Sequence, residues 1–412
     1  MEKKKNTPKL RFPEFTGEWE EKKIQKLIDD KIIISHLDGN HGGLYPRNEE
    51  FVSNGIPYIT ANDFAEGILY FDKCKFLTNE RASKFRKGIA INGDVLFAHN
   101  ATVGPTAILR TNFDYVILST TATYFRCDNI NLLNLYVEKY FNTDFFVNQY
   151  TRVMAQSTRN QVPISMQRTF SIKLPTIGEQ TKIATFLTAV DEKLTQLKKK
   201  KTLLEQYKKG VMQKLFSQEL RFKDENNQDF PDWQELPGNY IFKNVSDKNH
   251  ISELPILAIT QEYGAIPREL IDYNITVTDK SVDSYKVVQI GDFIISLRSF
   301  QGGIEYSKYN GICSPAYIIL RPIMEIEDCF FKSFFKTELY IKALNKNIEG
   351  IRDGKMISYK YFSEINLPYP SLPEQQKIAT FLLSIDEKIN HSSAQIEKME
   401  AWKKGLLQQM FC

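Results

Sequence analysis

Each half of this 412-residue sequence contains two clusters of polar side chains of the types that can read the edges of nucleic-acid bases. In the first half they are His99, Asn100 and Thr102, then Gln156, Ser157, Arg159, Asn160 and Gln161. In the second they are Arg298, Ser299 and Gln301, then Arg352, Asp353 and Lys355. A guanidinium donates two parallel hydrogen bonds to guanine, and an Asn or Gln amide both donates to and accepts from adenine. These side chains therefore supply the bidentate geometry that major-groove readout uses. Polar loop residues are common in every protein, so for each of them a contact with water or with its own turn is the competing reading.

Catalytic chemistry is not written alongside them. The sequence has no GxxxxGK[ST] phosphate loop, no glycine-rich strand-to-helix turn for a nucleotide cofactor, and no Asn-Pro-Pro-aromatic tetrapeptide of the kind amino-methyltransferases use. His36 and His41 lie five apart in a Gly/Asn-rich stretch without neighbouring ligands, which reads as a surface loop rather than a metal site. The five cysteines are scattered and never form a C-x-x-C pair, as expected of reduced thiols in a cytoplasmic protein. Neither catalytic nor metal-ligating residues are expected, and no cofactor is expected in this chain.

The elements that must position the polar clusters are written twice. EQTKIATFL (residues 179–187) returns as EQQKIATFL (374–382), and the register then holds without a gap. Asp191, Glu192 and Lys193 match Asp386, Glu387 and Lys388, and YKKGVMQKLF (207–216) matches WKKGLLQQMF (402–411). In the first copy Ile183, Leu187, Val190, Leu194, Leu197, Leu204, Val211 and Leu215 follow steps of four and three. In the second Ile378, Leu382, Ile385, Ile389, Ile396, Met399, Leu406 and Met410 do the same. That 3.5-residue period is a coiled-coil seam. Lys201, Lys208, Ser392 and Lys403 interrupt it, either fixing its register or bending out to a solvated face. Proline-rich punctuation precedes each copy and marks its start.

A mixed segment of about 150 residues precedes each helix. LRF recurs at residues 10–12 and 220–222, followed by Trp19 in one half and Trp233 in the other. NGDVLFAHN (92–100) resembles IGDFIISLRS (290–299), and VPISMQRTFSIKLP (162–175) resembles MISYKYFSEINLP (356–368). Between these anchors the halves diverge, so one fold appears twice with unlike loops. The expected architecture is α+β. Two mixed α/β domains at 1–175 and 219–371 stand in pseudo-twofold tandem, separated by long helices at 176–218 and 372–412 that pack as an antiparallel coiled coil. A helix of roughly 38 residues spans about 57 Å, longer than one turn of DNA, and duplex DNA also has a dyad.

The motif LP-x-x-x-EQ-x-KIA-x-FL-x-x-x-DEK, complete in the first copy and repeated in the second with Tyr369-Pro370 in place of its Leu-Pro, closely resembles the specificity subunit of type I restriction-modification systems, and the likeness covers essentially the whole chain. That resemblance implies a non-catalytic subunit in which two target-recognition domains each read half of an interrupted site while the helices set the gap. It further implies double-stranded DNA, two methyltransferase subunits and restriction subunits as partners. S-adenosylmethionine, ATP and Mg would belong to those partners, with the target base flipped into the methyltransferase.

Bulk properties permit this without requiring it. A net charge of +4 allows a phosphate-binding surface, and no apolar run is long enough to span a membrane. A coiled-coil adaptor with peptide-binding domains is the alternative from another class, and an enzyme with a cryptic site is a third.

Overall fold

Periodicity and proline placement decide the longest elements. Helices run over Ile177–Phe216 and Leu372–Gln409, 40 and 38 residues. Thr176 accepts the Glu179 N–H at the start of the first, and Pro373 occupies the first turn of the second, where its missing N–H costs nothing. The computed structural model describes residues 6–39, 41–156, 158–250, 253–271, 282–346 and 357–412. Among them the chain divides into two compact units, Met1–Leu197 with Gln395–Cys412, and Lys198–Ala394. The opening half of the first long helix and the closing part of the second belong to the first unit, and the reverse holds for the second unit. The two helices are thus antiparallel.

Within the first unit Ile183, Leu187 and Val190 share one core with Leu406 and Met410, and Leu194 and Leu197 are also buried. Within the second, Val211 and Leu215 share a core with Ile378, Leu382 and Ile385. Leu204, Ile389, Ile396 and Met399 are half-buried. Each Leu or Ile of these rows that is fully buried contributes about 1.5–3 kcal/mol relative to leaving it in water, and the half-buried ones less, which is what holds a polar helix to its neighbour.

The globular part of the first unit is built on two larger sheets. An antiparallel sheet orders the strands Thr102–Ile108, Val95–Asn100, Ala122–Cys127 and Ile33–Asp38. A five-stranded sheet orders Phe51–Val52, Lys75–Leu77, Ile56–Ile59, Val116–Leu118 and Ile89–Ala90. A short ribbon of Glu20–Lys23 with Ser171–Leu174 then delivers the chain into the long helix. Trp19, Phe97, Phe125, Phe141 and Phe146 fill the space between sheet and helices.

The second unit repeats the framework in shorter strands. Its main sheet orders Phe242–Val245, Ile318–Pro322, Phe293–Ile295 and Glu305–Tyr306. The ribbon into the second long helix pairs Gln234–Pro237 with Asn366–Tyr369. Leu257–Thr260 pairs with Gly264–Pro267 as a tight hairpin.

His36 and His41 depart from the surface loop that their glycine-rich surroundings suggest. His36 sits on the strand Ile33–Asp38, 3% exposed, stacked 4.0 Å from Phe125 and donating from Nε2 to Gln167 Oε1 at 3.0 Å. His41 is buried against Phe85, with Nε2 donating to the Leu118 carbonyl at 2.7 Å. Burial, which penalises the charged ring, lowers the pKa of His36, His41 and His99 alike, in the case of His36 to about 3.

The unfolded chain takes up these protons near the ordinary value of 6.5, whereas the folded unit refuses them. Stability is therefore whole above pH 6.5 and lost as pH falls from there toward about 3. Denaturation of the first unit followed between about pH 7.5 and 5 is expected to fall less steeply in His36→Phe than in the parent. Equal slopes would show that His36 is not held neutral.

Candidate nucleic-acid interface

In each unit the polar clusters are positioned by a Gly-Asp turn at the root of a central strand. Gly93 and Gly291 have φ of 96° and 93°, a region that only glycine enters without strain, so the turn requires them. The following aspartates are buried. Asp94 accepts from Arg126 Nε and Nη2, both at 2.8 Å, and from the Ile91 N–H at 2.8 Å. Asp292 accepts from Arg321 at 2.7 and 2.8 Å and from the Gln289 N–H at 2.7 Å. The hydrogen bonds to aspartate outweigh burial and hold both guanidiniums above the ordinary arginine pKa. These anchors shape the framework, and the loops beyond them carry the difference between the halves.

In the first unit the two clusters chosen from sequence become one surface. The strand Val95–Asn100 turns at Ala101, whose φ is 64°, into Thr102–Ile108. Ala101 N–H donates to the Asn160 carbonyl at 2.9 Å, Val162 N–H donates to the His99 carbonyl at 2.8 Å, and Asn100 bridges Gln161. Thr102, Gln156, Arg159 and Asn160 are exposed, while Asn100 and Gln161 are half-buried. His99 behaves differently from its neighbours. Its ring is 2% exposed and Nδ1 meets the Val162 carbonyl at 3.1 Å, so it supports the loop from beneath instead of facing a duplex. Ser157 lies outside the described residues.

In the second unit Arg298 and Gln301 are exposed at the start of a short helix, Ser299–Gly302. Ser299 is buried, and its hydroxyl accepts from the Ser296 N–H at 2.8 Å, a turn-closing role that removes it from the surface. Arg352, Asp353 and Lys355 lie outside the described residues.

Each unit also brings a third segment to its loop. Thr102 Oγ1 donates to Asn62 Oδ1 at 3.2 Å, and Gln261 Nε2 donates to the Arg298 carbonyl at 3.3 Å. The sequence carries a short signal for both, an Ile-Thr pair just upstream: Ile59-Thr60 two residues before Asn62, and Ile259-Thr260 directly before Gln261.

The repeated motif itself is a clasp between globular part and helix. Arg11 donates from Nε and Nη2 to the two oxygens of Glu179, both at 2.7 Å, and Arg221 does the same to Glu374 at 3.1 and 3.0 Å. Both glutamates are fully buried in the first turn of their helix, where the helix dipole also favours a negative charge. The next residue fastens a loop. Gln180 donates to the Asn131 and Pro175 carbonyls and accepts from the Leu133 N–H, while Gln375 donates to the Pro370 carbonyl and accepts from the Glu327 N–H. Phe12 and Phe222 close the clasp on Phe186 and Phe381, with ring centroids 6.0 and 5.4 Å apart. LRF and EQ are therefore repeated because each completes the other.

Two of the seam's polar interruptions are also paired across the helices. Lys208 Nζ donates to Asp386 Oδ1 at 2.6 Å in the second unit. In the first, Lys403 Nζ stands 2.7 Å from Asp191 Oδ1 as a charge contact without hydrogen-bond alignment, and Lys139 donates to Asp191 Oδ2 at 2.6 Å. Burial opposes the charge on Lys139, but Glu138 and Asp191 overcome it and raise its pKa. The buried Ser392 turns its hydroxyl back to the Lys388 carbonyl at 2.9 Å, which keeps a polar atom in the seam satisfied. Lys201 stays on its own helix, 3.9 Å from Glu205.

A framework written twice under unlike polar loops, with two long helices shared between the copies, defines a two-site recognition protein. The chain matches the type I restriction modification DNA specificity domain over residues 17–206 and 235–401, and it belongs to that family. It is 24% identical to the putative type I restriction enzyme MjaX specificity subunit of Methanocaldococcus jannaschii, across 98% of this chain and 95% of that protein. It is likewise 24% identical to the MjaVIII specificity subunit of the same organism, across 87% and 88%. In fold it resembles the crystal structure of a type I restriction-modification system S subunit from M. genitalium, with a TM-score of 0.57 at 17% identity over 98% of this chain and 99% of that one. A chain from the structural work on complex assembly and conformational transition of the type I R-M system gives the same TM-score and identity, over 95% and 97%. Among the described residues no helix is long and apolar enough to cross a membrane, and no group of three or more His, Cys, Asp or Glu is gathered for a metal.

Proposed function

We propose that this chain is the sequence-reading subunit of a type I restriction-modification complex, with each unit reading one half of a bipartite DNA site and the paired helices setting the gap. The observation that carries this reading is the contrast within each unit between repeated anchors, Asp94–Arg126 and Asp292–Arg321, and the unlike polar loops they support. A protein that needed one chemistry twice would keep its loops alike. Family membership favours this over a coiled-coil adaptor for peptides.

On this reading the chain performs no chemistry itself. Two methyltransferase subunits and restriction subunits act on the site it selects, and they carry S-adenosylmethionine, ATP and Mg. The direct test is duplex binding with and without a methyltransferase partner. Salt-sensitive, sequence-dependent binding supports the proposal, and equal affinity for every duplex refutes it. Modularity gives a second expectation. Exchanging the globular part of one unit for that of a relative should change one half of the methylated site and leave the other intact, as read by methylation mapping; changes in both halves would contradict independent reading.

A further inference from the structure

The third segment in each unit braces the loop beside it through a side-chain amide that is itself exposed. In the first unit the turn after Ile56–Ile59 is rigid. Asp63 Oδ2 accepts the Thr60 N–H at 2.6 Å and the Thr60 hydroxyl at 2.9 Å, and that hydroxyl in turn accepts the Asn62 N–H at 3.3 Å. Asn62 stands exposed on this turn with Oδ1 taken by Thr102. Among the described residues its Nδ2 donates to no protein acceptor, so two N–H groups are oriented outward beside the loop that carries Thr102.

The second unit arrives at the same arrangement from different residues. Thr260 Oγ1 accepts the Tyr263 N–H at 3.0 Å and donates to the Gly264 carbonyl at 3.3 Å, closing the turn after Leu257–Thr260. Gln261 is exposed and lies across the Arg298 turn, with its amide nitrogen on the Arg298 carbonyl. It lies there because Gly302 leaves room. A Cβ at Gly302 would stand 2.3 Å from Gln261 Nε2, 2.4 Å from Cδ and 2.9 Å from Cγ. An amide held by one hydrogen bond on a rigid turn presents its remaining donors and acceptor in a fixed direction, which is what discrimination among base edges requires.

We infer that Asn62 and Gln261 are specificity-determining residues, each contacting a base edge in the half-site read by its own unit. This rests on the proposed function and adds a third loop to each reading surface. A phosphate contact would use the same amide chemistry, and the two sources differ in what they do to sequence preference.

The test uses the full chain with its methyltransferase partner and a library of duplexes randomised in both half-sites. Asn62→Ala is expected to lower discrimination about tenfold at one position of a single half-site, the lower end of what one base contact supplies. Asn62→Asp keeps the acceptor for Thr102 but removes the outward donors, and is expected to lose the same preference. Gln261→Ala and Gly302→Ala are expected to relax the other half-site, the second by displacing Gln261 without altering any polar group. Unchanged thermal melting identifies these effects as local. Uniform weakening across all duplexes with preferences retained, or one substitution altering both half-sites, overturns the inference. A parent complex with no sequence preference would instead overturn the proposed function.

Discussion

Replacing Arg221 with methionine is expected to destabilise the second unit by about 3–5 kcal/mol, because it leaves the fully buried Glu374 carboxylate without its guanidinium. The penalty arises from the stranded charge more than from the lost attraction. The double variant Arg221→Met with Glu374→Gln should therefore recover a large part of it. Arg11→Met should weaken the first unit to a similar degree through Glu179. Urea denaturation of the four-member cycle in each unit measures this directly. A loss below about 1 kcal/mol for either single arginine variant would mean that water reaches the glutamate and the clasp is no anchor.

The second large effect concerns distance rather than stability. Inserting one matched heptad into each long helix adds about 10 Å to each, close to the rise of three base pairs. On the proposed function, methylation mapping of that variant should recover both half-sites unchanged with a gap about three base pairs longer. Altered half-sites with the original gap would mean that the helices do not measure the spacing.

Much of this architecture was legible because it depends on short-range periodicity. The rows Ile183 to Leu215 and Ile378 to Met410 specified the helices, and the prolines their beginnings. The Gly-Asp anchors and LRF were visible as repeats, but their chemistry was not. Arg11 finds Glu179 and Arg126 finds Asp94 only after the chain has folded back on itself, and no local pattern encodes such a partner. The two cysteine-free loops of the first unit were chosen separately by residue type, and the structure joined them through Ala101 and Asn160.

Residue type misleads where burial reverses its meaning. His36 lies beside a glycine-rich stretch that suggests a loop, yet it is an inward strand residue whose Nε2 bonds to Gln167, distant in sequence. His99 and Ser299 look like readers from composition and are in fact supports. Asn62 and Gln261 share only an upstream Ile-Thr pair, a signal too short to mark an Asn or Gln as part of a loop cluster before the chain brings Thr102 and Arg298 beside them.

The lysine–aspartate contacts between the long helices have one more implication. A row of leucines cannot tell one heptad from the next, so a purely greasy joint could settle with its partners one step out of phase. Here such a misstep would part Lys208 from Asp386 and Lys403 from Asp191 by about 10 Å, losing both contacts across the helices while Asp191 kept only Lys139. The two charge contacts thus favour one alignment of the rods over its neighbours a heptad away.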